Sequence, residues 1–369
     1  MLLSFQLFLL PLPNKYLSIL TLHEQYMLRC LQLAKLGEGN VAPNPMVGSV
    51  LVFEDRIIGE GYHQQYGEAH AEVNCINSVS KADAHLIAQS TIYVSLEPCA
   101  HFGKTPPCSD LIIRHGIKKV VVGCRDSFSQ VDGKGIEKLR LSGAEVTVGV
   151  LEDECRELNK RFFTFHEKKR PFIVLKWAET ANGKIGSTTN NRLLISNDIS
   201  NRFVHQLRHQ NAAILVGTNT ALLDNPSLAN RLWHGNSPIR LVIDKNLKLP
   251  AHLQLFNQAE RTIVFNCNKQ EERENLTYYK LNKEVDLLDE ILAACYQLHI
   301  QSILIEGGSK TLQSFIDRHL WDEAIIITNT SLIVNDGVAA PILSHHTKAK
   351  QTVLLNDIIT FFTNQNNSN

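Results

Sequence analysis

The sequence predicts an α/β protein of two domains, and three observations carry that expectation. Short β-branched runs alternate with stretches of helical periodicity from Leu22 to Val150. The same alternation starts afresh at Pro171. At 369 residues the chain also exceeds what one hydrophobic core comfortably serves. Composition changes little across the join, so the boundary is read from the order of elements.

The opening segment, Met1 to Leu20, is apolar but interrupted by Pro11 and Pro13, and Lys15 is its first basic residue. It lacks the charged start and small-residue cleavage site of a secretory signal, and it is too short and broken to span a bilayer. The expectation is a poorly ordered extension, as from a start codon assigned too early, with packing on the domain as the alternative. Met27, Cys30, Leu31 and Ala34 then recur at three and four, one face of a helix that Gly37 and Gly39 end. Ala42-Pro43-Asn44-Pro45-Met46-Val47-Gly48 leads into a strand at Ser49–Val52. Asn44, held between two prolines, either offers its amide donor and acceptor to a base edge or makes an Asx turn. Further strands are expected at Ile57–His63, Thr91–Leu96, Lys118–Gly123 and Val146–Val150. Leu158, Phe162, Phe163 and Phe165 suit a partly helical connection whose aromatic rings pack.

In the second half, Pro171–Lys176, Ala212–Gly217, Ile239–Asp244, Thr262–Phe265 and Ser302–Ile305 are short apolar runs separated by polar or helix-like stretches. That spacing predicts a largely parallel sheet. The last run ends in Glu306-Gly307-Gly308-Ser309-Lys310-Thr311. Two glycines between a strand and a helix start let backbone N–H groups approach a phosphate, although Gly-Gly is equally a common turn. The dinucleotide fingerprint G-x-G-x-x-G is not there. Lys176, on an apolar strand, either faces a cleft or protects a sheet edge. Arg208 and Arg231 are candidate phosphate clamps, solvated arginines being the plainer reading. The tail from Asn364 to Asn369 is polar and expected to fray.

The chemistry concentrates between His63 and Cys108. His70-Ala71-Glu72 is followed by Ser95-Leu96-Glu97-Pro98-Cys99 and then by Cys108. One imidazole and two thiolates suit zinc and leave its fourth position to water. H-x-E followed by P-C and a second Cys is the pattern of zinc nucleobase deaminases, with a carboxylate that is not a ligand moving protons. His70 and Glu72 are two apart and can share a pocket only at a helix start. Cys108, ahead of Ser109-Asp110, also reads as a helix start, where a thiolate gains from free N–H groups. Zinc would acidify its water, and Glu72 would carry protons to the ring nitrogen and the leaving ammonia. Two alternatives are separate residues, namely a satisfied core histidine, two inert cysteines and an exposed Glu, and a closed structural zinc site completed by His63 or His101.

Lys plus Arg and Asp plus Glu both number 37, so the net charge is zero. This disfavours a nucleic-acid surface and favours a small substrate. The eight cysteines are scattered rather than framed as disulfides, which fits the cytoplasm. No membrane association is expected.

With these residues laid out, the chain from about Leu22 to Phe361 resembles the bifunctional deaminase/reductase family of riboflavin biosynthesis. The motifs that carry the resemblance are Ala42–Gly48, Gly67-Glu68-Ala69-His70-Ala71-Glu72-Val73 and the run Ser95–Cys108, whose eight-residue gap between cysteines is characteristic of that family. In the second half they are Leu175-Lys176-Trp177-Ala178 with Gly183-Lys184-Ile185, Arg202 through Arg208, and Ile214–Gly217. Thr220, Leu223–Leu228 with Arg231, and Glu306-Gly307-Gly308 complete the match. The resemblance implies a cytidine-deaminase-like three-layer domain at 22–150 and a dihydrofolate-reductase-like domain at 169–361. It implies one zinc per chain on His70, Cys99 and Cys108, with Glu72 catalytic and with Asn44, His63 and His101 touching substrate.

For the reductase it implies NADPH against Ala178, Thr220, Asp224, Gly307, Gly308, Ser309, Lys310 and Thr311. Arg208, Leu228, Arg231 and Glu306 would hold the phosphoribosylated pyrimidine, and Lys176 would position or protonate the sugar. The implied reactions are deamination of 2,5-diamino-6-(5-phosphoribosylamino)pyrimidin-4-one and then NADPH-dependent reduction of the ribosyl group. A homo-oligomer, a dimer, is expected on the same ground. The sequence departs from the family at Asn182, where Asp is common, at Arg192 and Leu194, where Ser and Trp are usual, and at Asp126-Ser127-Phe128-Ser129, where Asp-Pro-Asn-Pro is common. Those in the second half leave open a deaminase whose second domain only binds or oligomerises.

Overall fold

The computed structural model describes residues 20–102, 106–128, 131–187 and 193–367. The N-terminal segment as far as residue 19, and Arg192, lie outside the described residues. The chain divides into two compact units, one of residues up to Val41 with Pro45–Asn159, the other of Ala42–Asn44 with the chain from Lys160 on.

The first unit runs α1 (Leu22–Lys35), β1 (Gly48–Phe53), β2 (Arg56–Tyr62), α2 (Ala71–Asn77), β3 (Thr91–Leu96), α3 (Cys108–Arg114), β4 (Lys119–Cys124), α4 (Lys134–Leu141), β5 (Glu145–Val148) and α5 (Glu152–Leu158). Thr21 and Glu24 form a reciprocal capping box at the start of α1, satisfying N–H groups that a helix end leaves open. Among the described residues the strands order β2-β1-β3-β4-β5. The β1–β2 and β1–β3 pairs are antiparallel, and β3–β4 and β4–β5 are parallel. Leu51, Ile92, Val94, Val120 and Val122 share one buried cluster with Cys75 and Ile76 of α2, Ile112 of α3 and Leu139 of α4. Gly61 shows how closely α2 lies on the sheet, since a Cβ there would sit 2.2 Å from the Cys75 nitrogen.

The second unit runs α6 (Lys160–Lys168), β6 (Phe172–Thr180), β7 (Lys184–Ser187), α7 (Asp198–Gln210), β8 (Ala213–Gly217), α8 (Thr218–Asp224), β9 (Ile239–Ile243), β10 (Thr262–Asn266), β11 (Glu271–Glu272) and β12 (Leu276–Lys280). It ends with α9 (Leu287–Gln297), β13 (Ser302–Glu306), α10 (Ser309–Asp317), β14 (Glu323–Asn329), β15 (Gly337–Ala339), β16 (His346–Leu354) and β17 (Asp357–Asn364). The main sheet orders β11-β12-β10-β9-β8-β13-β6-β14-β17-β16 among the described residues. It is parallel from β12 to β14, as the sequence suggests, and antiparallel at both margins.

Side-chain alternation splits this core into two faces. Ile173, Leu175 and Ile305 pack with α9 and α10. Val174, Leu304, Ile214 and Val216 pack with Val204 and Leu207 of α7. By the period of two, Lys176 and Glu306 follow Val174 and Leu304 onto the α7 face, and they are partners across β6 and β13. The chain enters β8 from β6 by skipping the position that β13 later fills, so the strand order reverses there. Crevices at such a reversal, beyond the carboxyl ends of parallel strands, are where α/β sheets bind ligands.

Candidate active sites

His70 is the N-cap of α2, in extended backbone, and Glu72 lies in the first turn. That placement brings together two residues whose side chains would diverge in mid-helix. Cys99 follows β3, and Cys108 opens α3. His70 Nδ1 lies 3.6 Å from Cys99 Sγ and 3.4 Å from Cys108 Sγ. All three donor atoms fall within 4.8 Å of one another. Ordinary Zn–N and Zn–S bonds at tetrahedral angles space nitrogen and sulfur roughly 3.6 Å apart, so the donor set fits zinc as it stands.

No fourth His, Cys, Asp or Glu joins this cluster among the described residues, and neither His63 nor His101 closes it. His63 Nδ1 instead meets the Ala69 carbonyl at 3.0 Å, with its ring edge-on to His70 at 5.3 Å. The His101 ring packs against Phe128 at 6.0 Å, and its buried Nδ1 has no hydrogen-bond partner among the described residues. Asn44 is half-buried and groups with the second unit.

A hydrogen bond from Cys108, against the cost of burial and with help from His70, lowers the Cys99 thiol below its ordinary range. The Cys108 backbone N–H also donates to Cys99 Sγ at 3.3 Å. Glu72 is 3% exposed, and burial, reinforced by Cys99, pushes its carboxyl up to about 6.

Glu97 has no assigned role in the sequence reading, yet it organises the surroundings. Its buried carboxylate accepts backbone N–H groups from Asp126 (3.2 Å), Gly133 (3.0 Å), Gly135 (2.9 Å) and Ile136 (3.2 Å), tying the strand end that carries Cys99 to the start of α4. The acidic residue between an apolar strand and Pro98 was the available signal. Beside it, burial pushes the Asp126 carboxyl up to about 7, with Glu97 and Cys99 adding to the rise.

A second cluster lies in the other unit. Arg208 of α7 donates to Glu306 at 3.2 Å from Nε and 2.8 Å from Nη2, and to the Ala229 carbonyl at 3.0 Å from Nη1. Both side chains of the pair are 12% exposed. Burial opposes ionisation of Glu306, but Arg208 and Lys176 outweigh it and hold the carboxyl at about 2. Lys176 is lowered by burial, which Glu306 partly offsets. Three of the five N–H donors of a guanidinium are thus committed, leaving two for a ligand.

Beyond Glu306, Gly307 and Gly308 take φ of +91° and +77°, the left-handed region that favours glycine. A Cβ on Gly308 would lie 3.1 Å from Thr220 Oγ1 and 3.4 Å from Thr311 Oγ1, so these residues enclose one narrow turn. Ser309 Oγ donates to the Ala339 carbonyl at 2.9 Å. Lys310 and Asp224 are exposed, and Ala178 is half-buried on β6. Leu228 is 2% exposed and packs in the α7-face core, which leaves its backbone for any ligand. Arg231 is exposed on the loop that follows.

Of the departures, Asn182 has a structural account. Its Oδ1 accepts from Thr180 Oγ1 (2.7 Å) and the Val334 N–H (3.2 Å), while Nδ2 donates to the Val334 carbonyl (2.9 Å). A carboxylate could not make the last bond. Leu194 is 74% exposed.

Sequence reasoning also passed over His205, which sits one turn before Arg208 on α7 and accepts backbone N–H groups from Arg231 and Leu232. The three-residue spacing from Arg208 was the available signal.

Comparison with known proteins agrees with this arrangement. Residues 20–124 match the cytidine and deoxycytidylate deaminase zinc-binding region, and residues 171–350 match the RibD C-terminal domain. The riboflavin biosynthesis protein RibD of Aquifex aeolicus is 40% identical over 312 residues, covering 82% of this chain and 85% of that protein. The crystal structure of a diaminohydroxyphosphoribosylaminopyrimidine deaminase/5-amino-6-(5-phosphoribosylamino)uracil reductase from Thermotoga maritima is 35% identical, with a TM-score of 0.84 over 93% of this chain and 99% of that one. Acinetobacter baumannii RibD is 28% identical, with a TM-score of 0.83 over 93% of this chain and 98% of that one. The chain therefore belongs to the RibD family of riboflavin biosynthesis proteins.

Proposed function

We propose that the chain catalyses two consecutive steps of riboflavin biosynthesis. The first is hydrolytic deamination of 2,5-diamino-6-(5-phosphoribosylamino)pyrimidin-4-one. The second is NADPH-dependent reduction of the ribosyl group of the resulting 5-aminouracil compound to ribityl. The observation that carries this reading is the His70–Cys99–Cys108 triangle with buried Glu72 beside it, on one chain with the Lys176–Glu306–Arg208 cluster.

In the deaminase, assigned to residues 22–150, His70, Cys99 and Cys108 hold zinc, which when bound acidifies water to a hydroxide nucleophile near neutral pH. Glu72, held without solvent, would take one proton of the water and give it to the ring nitrogen next to the amidine-like carbon as hydroxide adds. It would then take the second proton from the hydroxyl so added and give it to the amino group that leaves as ammonia while the carbonyl forms. A carboxyl raised by burial suits both directions of transfer. Asn44, His63 and His101 are assigned to substrate.

In the reductase, assigned to residues 169–361, NADPH supplies hydride for C1 of the opened ribose, so the protein's task is orientation and charge placement. Ala178, Thr220, Asp224 and the turn Gly307–Thr311 hold the cofactor. Lys176, kept beside Glu306, positions or protonates the sugar. Arg208, the Leu228 backbone and Arg231 receive the phosphate, and Glu306 orients the Arg208 fork. Among the described residues no helix is long and apolar enough to cross a membrane, and all eight cysteines are free; the cytoplasm is the assigned compartment and a homodimer the assigned assembly.

The test is a coupled assay on zinc-loaded protein that follows ammonia release and NADPH oxidation separately. Both signals in sequence are expected from the diaminopyrimidinone phosphate. No ammonia from fully metallated protein sinks the deaminase assignment, and no NADPH oxidation with supplied deaminated intermediate sinks the reductase assignment.

A further inference from the structure

His205 stands one turn before Arg208 on α7 and is 5% exposed. Its Nδ1 accepts the backbone N–H of Arg231 at 2.8 Å and that of Leu232 at 3.3 Å. An imidazole nitrogen that accepts must be unprotonated, so in the neutral ring the proton sits on Nε2. Burial, with Arg208 and Arg231 adding to it, lowers the His205 pKa to about 4, in keeping with that form.

The loop it grips is otherwise knotted on itself. Asn230 donates its N–H to Ser237 Oγ at 3.1 Å and its side-chain amide to the Gly235 carbonyl at 3.2 Å, and it accepts from the Trp233 N–H at 3.2 Å. Arg208 ties the same loop from the other side through the Ala229 carbonyl. Helix α7 thus holds residues 229–232 at two points, one through Arg208 and one through His205. The backbone that His205 fixes is the backbone from which the Arg231 side chain departs.

We propose that His205 is a positioning residue of the reductase: by anchoring the Arg231–Leu232 backbone to α7, it sets Arg231 beside Arg208 as one pair of guanidiniums for the substrate phosphate. The inference rests on the assignment of Arg231 to that phosphate. Asparagine places its Oδ1 where imidazole has Nδ1, whereas glutamine carries its acceptor one bond further out. The two amides therefore separate anchoring from mere occupancy.

The experiment measures steady-state NADPH oxidation by the full-length, zinc-loaded protein supplied with the deaminated phosphoribosylaminouracil. In His205→Leu the KM for that substrate is expected to rise about tenfold, with kcat within about twofold and the KM for NADPH unchanged. His205→Asn is expected to restore KM to within about threefold and His205→Gln to leave it high, as an anchor at the Nδ1 position requires. Should the leucine variant fail to fold, the contrast between Asn and Gln decides by itself.

On an Arg231→Ala background the His205 substitutions are expected to raise KM no further, because residues acting as one unit are not additive. Equal recovery by Asn and Gln, a fall in kcat in place of the KM rise, or full additivity with Arg231→Ala overturns the proposal. If Arg231→Ala alone leaves KM unchanged, the phosphate assignment falls and this inference with it. If Arg231→Ala raises KM while the His205 variants are silent, the inference falls alone.

Discussion

The two clusters of this chain are built on opposite principles. The candidate metal site draws its parts from two short stretches, each placing a potential ligand at a helix start: His70 as N-cap of α2 and Cys108 as first residue of α3. Its ligands are soft donors that few other roles require in that order. The second cluster collects Lys176 from β6, Arg208 from α7 and Glu306 from β13, none of them unusual where it stands in the sequence. Where local geometry makes a site, a motif reveals it; where the register of a sheet makes it, the motif is weak.

The same contrast predicts how each site fails. Removing the ion by chelation, or substituting Cys99→Ala, should abolish ammonia release, a loss on the order of 10³-fold or more, because the activated nucleophile is gone. NADPH oxidation with supplied intermediate should persist. Loss of both activities together would break the idea that the units are separately organised, and metal analysis of the purified variant checks the cause.

Glu72→Gln keeps the shape and the ligands but cannot move a proton. Ammonia release should fall about 10²- to 10⁴-fold with zinc content unchanged. An unaltered rate in a fully metallated Glu72→Gln protein would remove Glu72 from the chemistry.

For the second cluster, Glu306→Gln leaves Arg208 and Lys176 buried without their counter-charge. The expected cost is about 3–5 kcal/mol to the second unit, read by urea denaturation. The pH dependence has a definite sign. A carboxyl held at about 2 rather than its ordinary 4.5 lets the unfolded chain bind more protons between those values. Its stabilisation is complete above 4.5, and it is lost as pH falls toward 2. Comparing unfolding at pH 5 and pH 3 should therefore show a steeper loss in the parent protein than in Glu306→Gln, while equal slopes would mean that the carboxylate is not held down.

The smallest expected effect concerns the departure at Asn182. Because its amide both donates to and accepts from Val334, Asn182→Asp should cost about 1 kcal/mol in stability and leave NADPH oxidation within about twofold. A gain in turnover on restoring the family's common aspartate would instead assign Asn182 a part in catalysis.

Much of the fold was legible because burial writes itself into sequence at fixed periods. Every strand expected in the second half, from Pro171 to Ile305, appears within a residue or so of its place, except that β6 extends on to Thr180. Strands β11, β12, β14 and β17 escaped notice, although β14 carries the apolar run Ala324–Ile327, and so did β16, β7 and β15. β16 carries Lys348 and Lys350 at an edge and shows little apolar alternation, and β7 and β15 are short strands paired apart from the main sheet. Glu97 and His205 escaped for a different reason, since their partners are backbone N–H groups, which no residue letter announces.

What the sequence indicated by itself was the donor set of the first unit: His70, Cys99 and Cys108, with Glu72 close by in the chain, pointed to a candidate metal site, and the structure brings those three donor atoms within 4.8 Å of one another. The sequence also determined the α/β alternation, because periods of two and of three to four follow from backbone geometry alone. Only the tertiary structure decided that Lys176 and Glu306 stand side by side, since the pairing depends on β13 returning between β8 and β6. It likewise decided that the Arg208 fork is turned onto Glu306 and that His205 holds the loop of Arg231. The Arg208–Glu306 contact joins residues 98 positions apart, and contacts of this kind exist only once burial has set the register of strands that carry no mark of which neighbour they will meet.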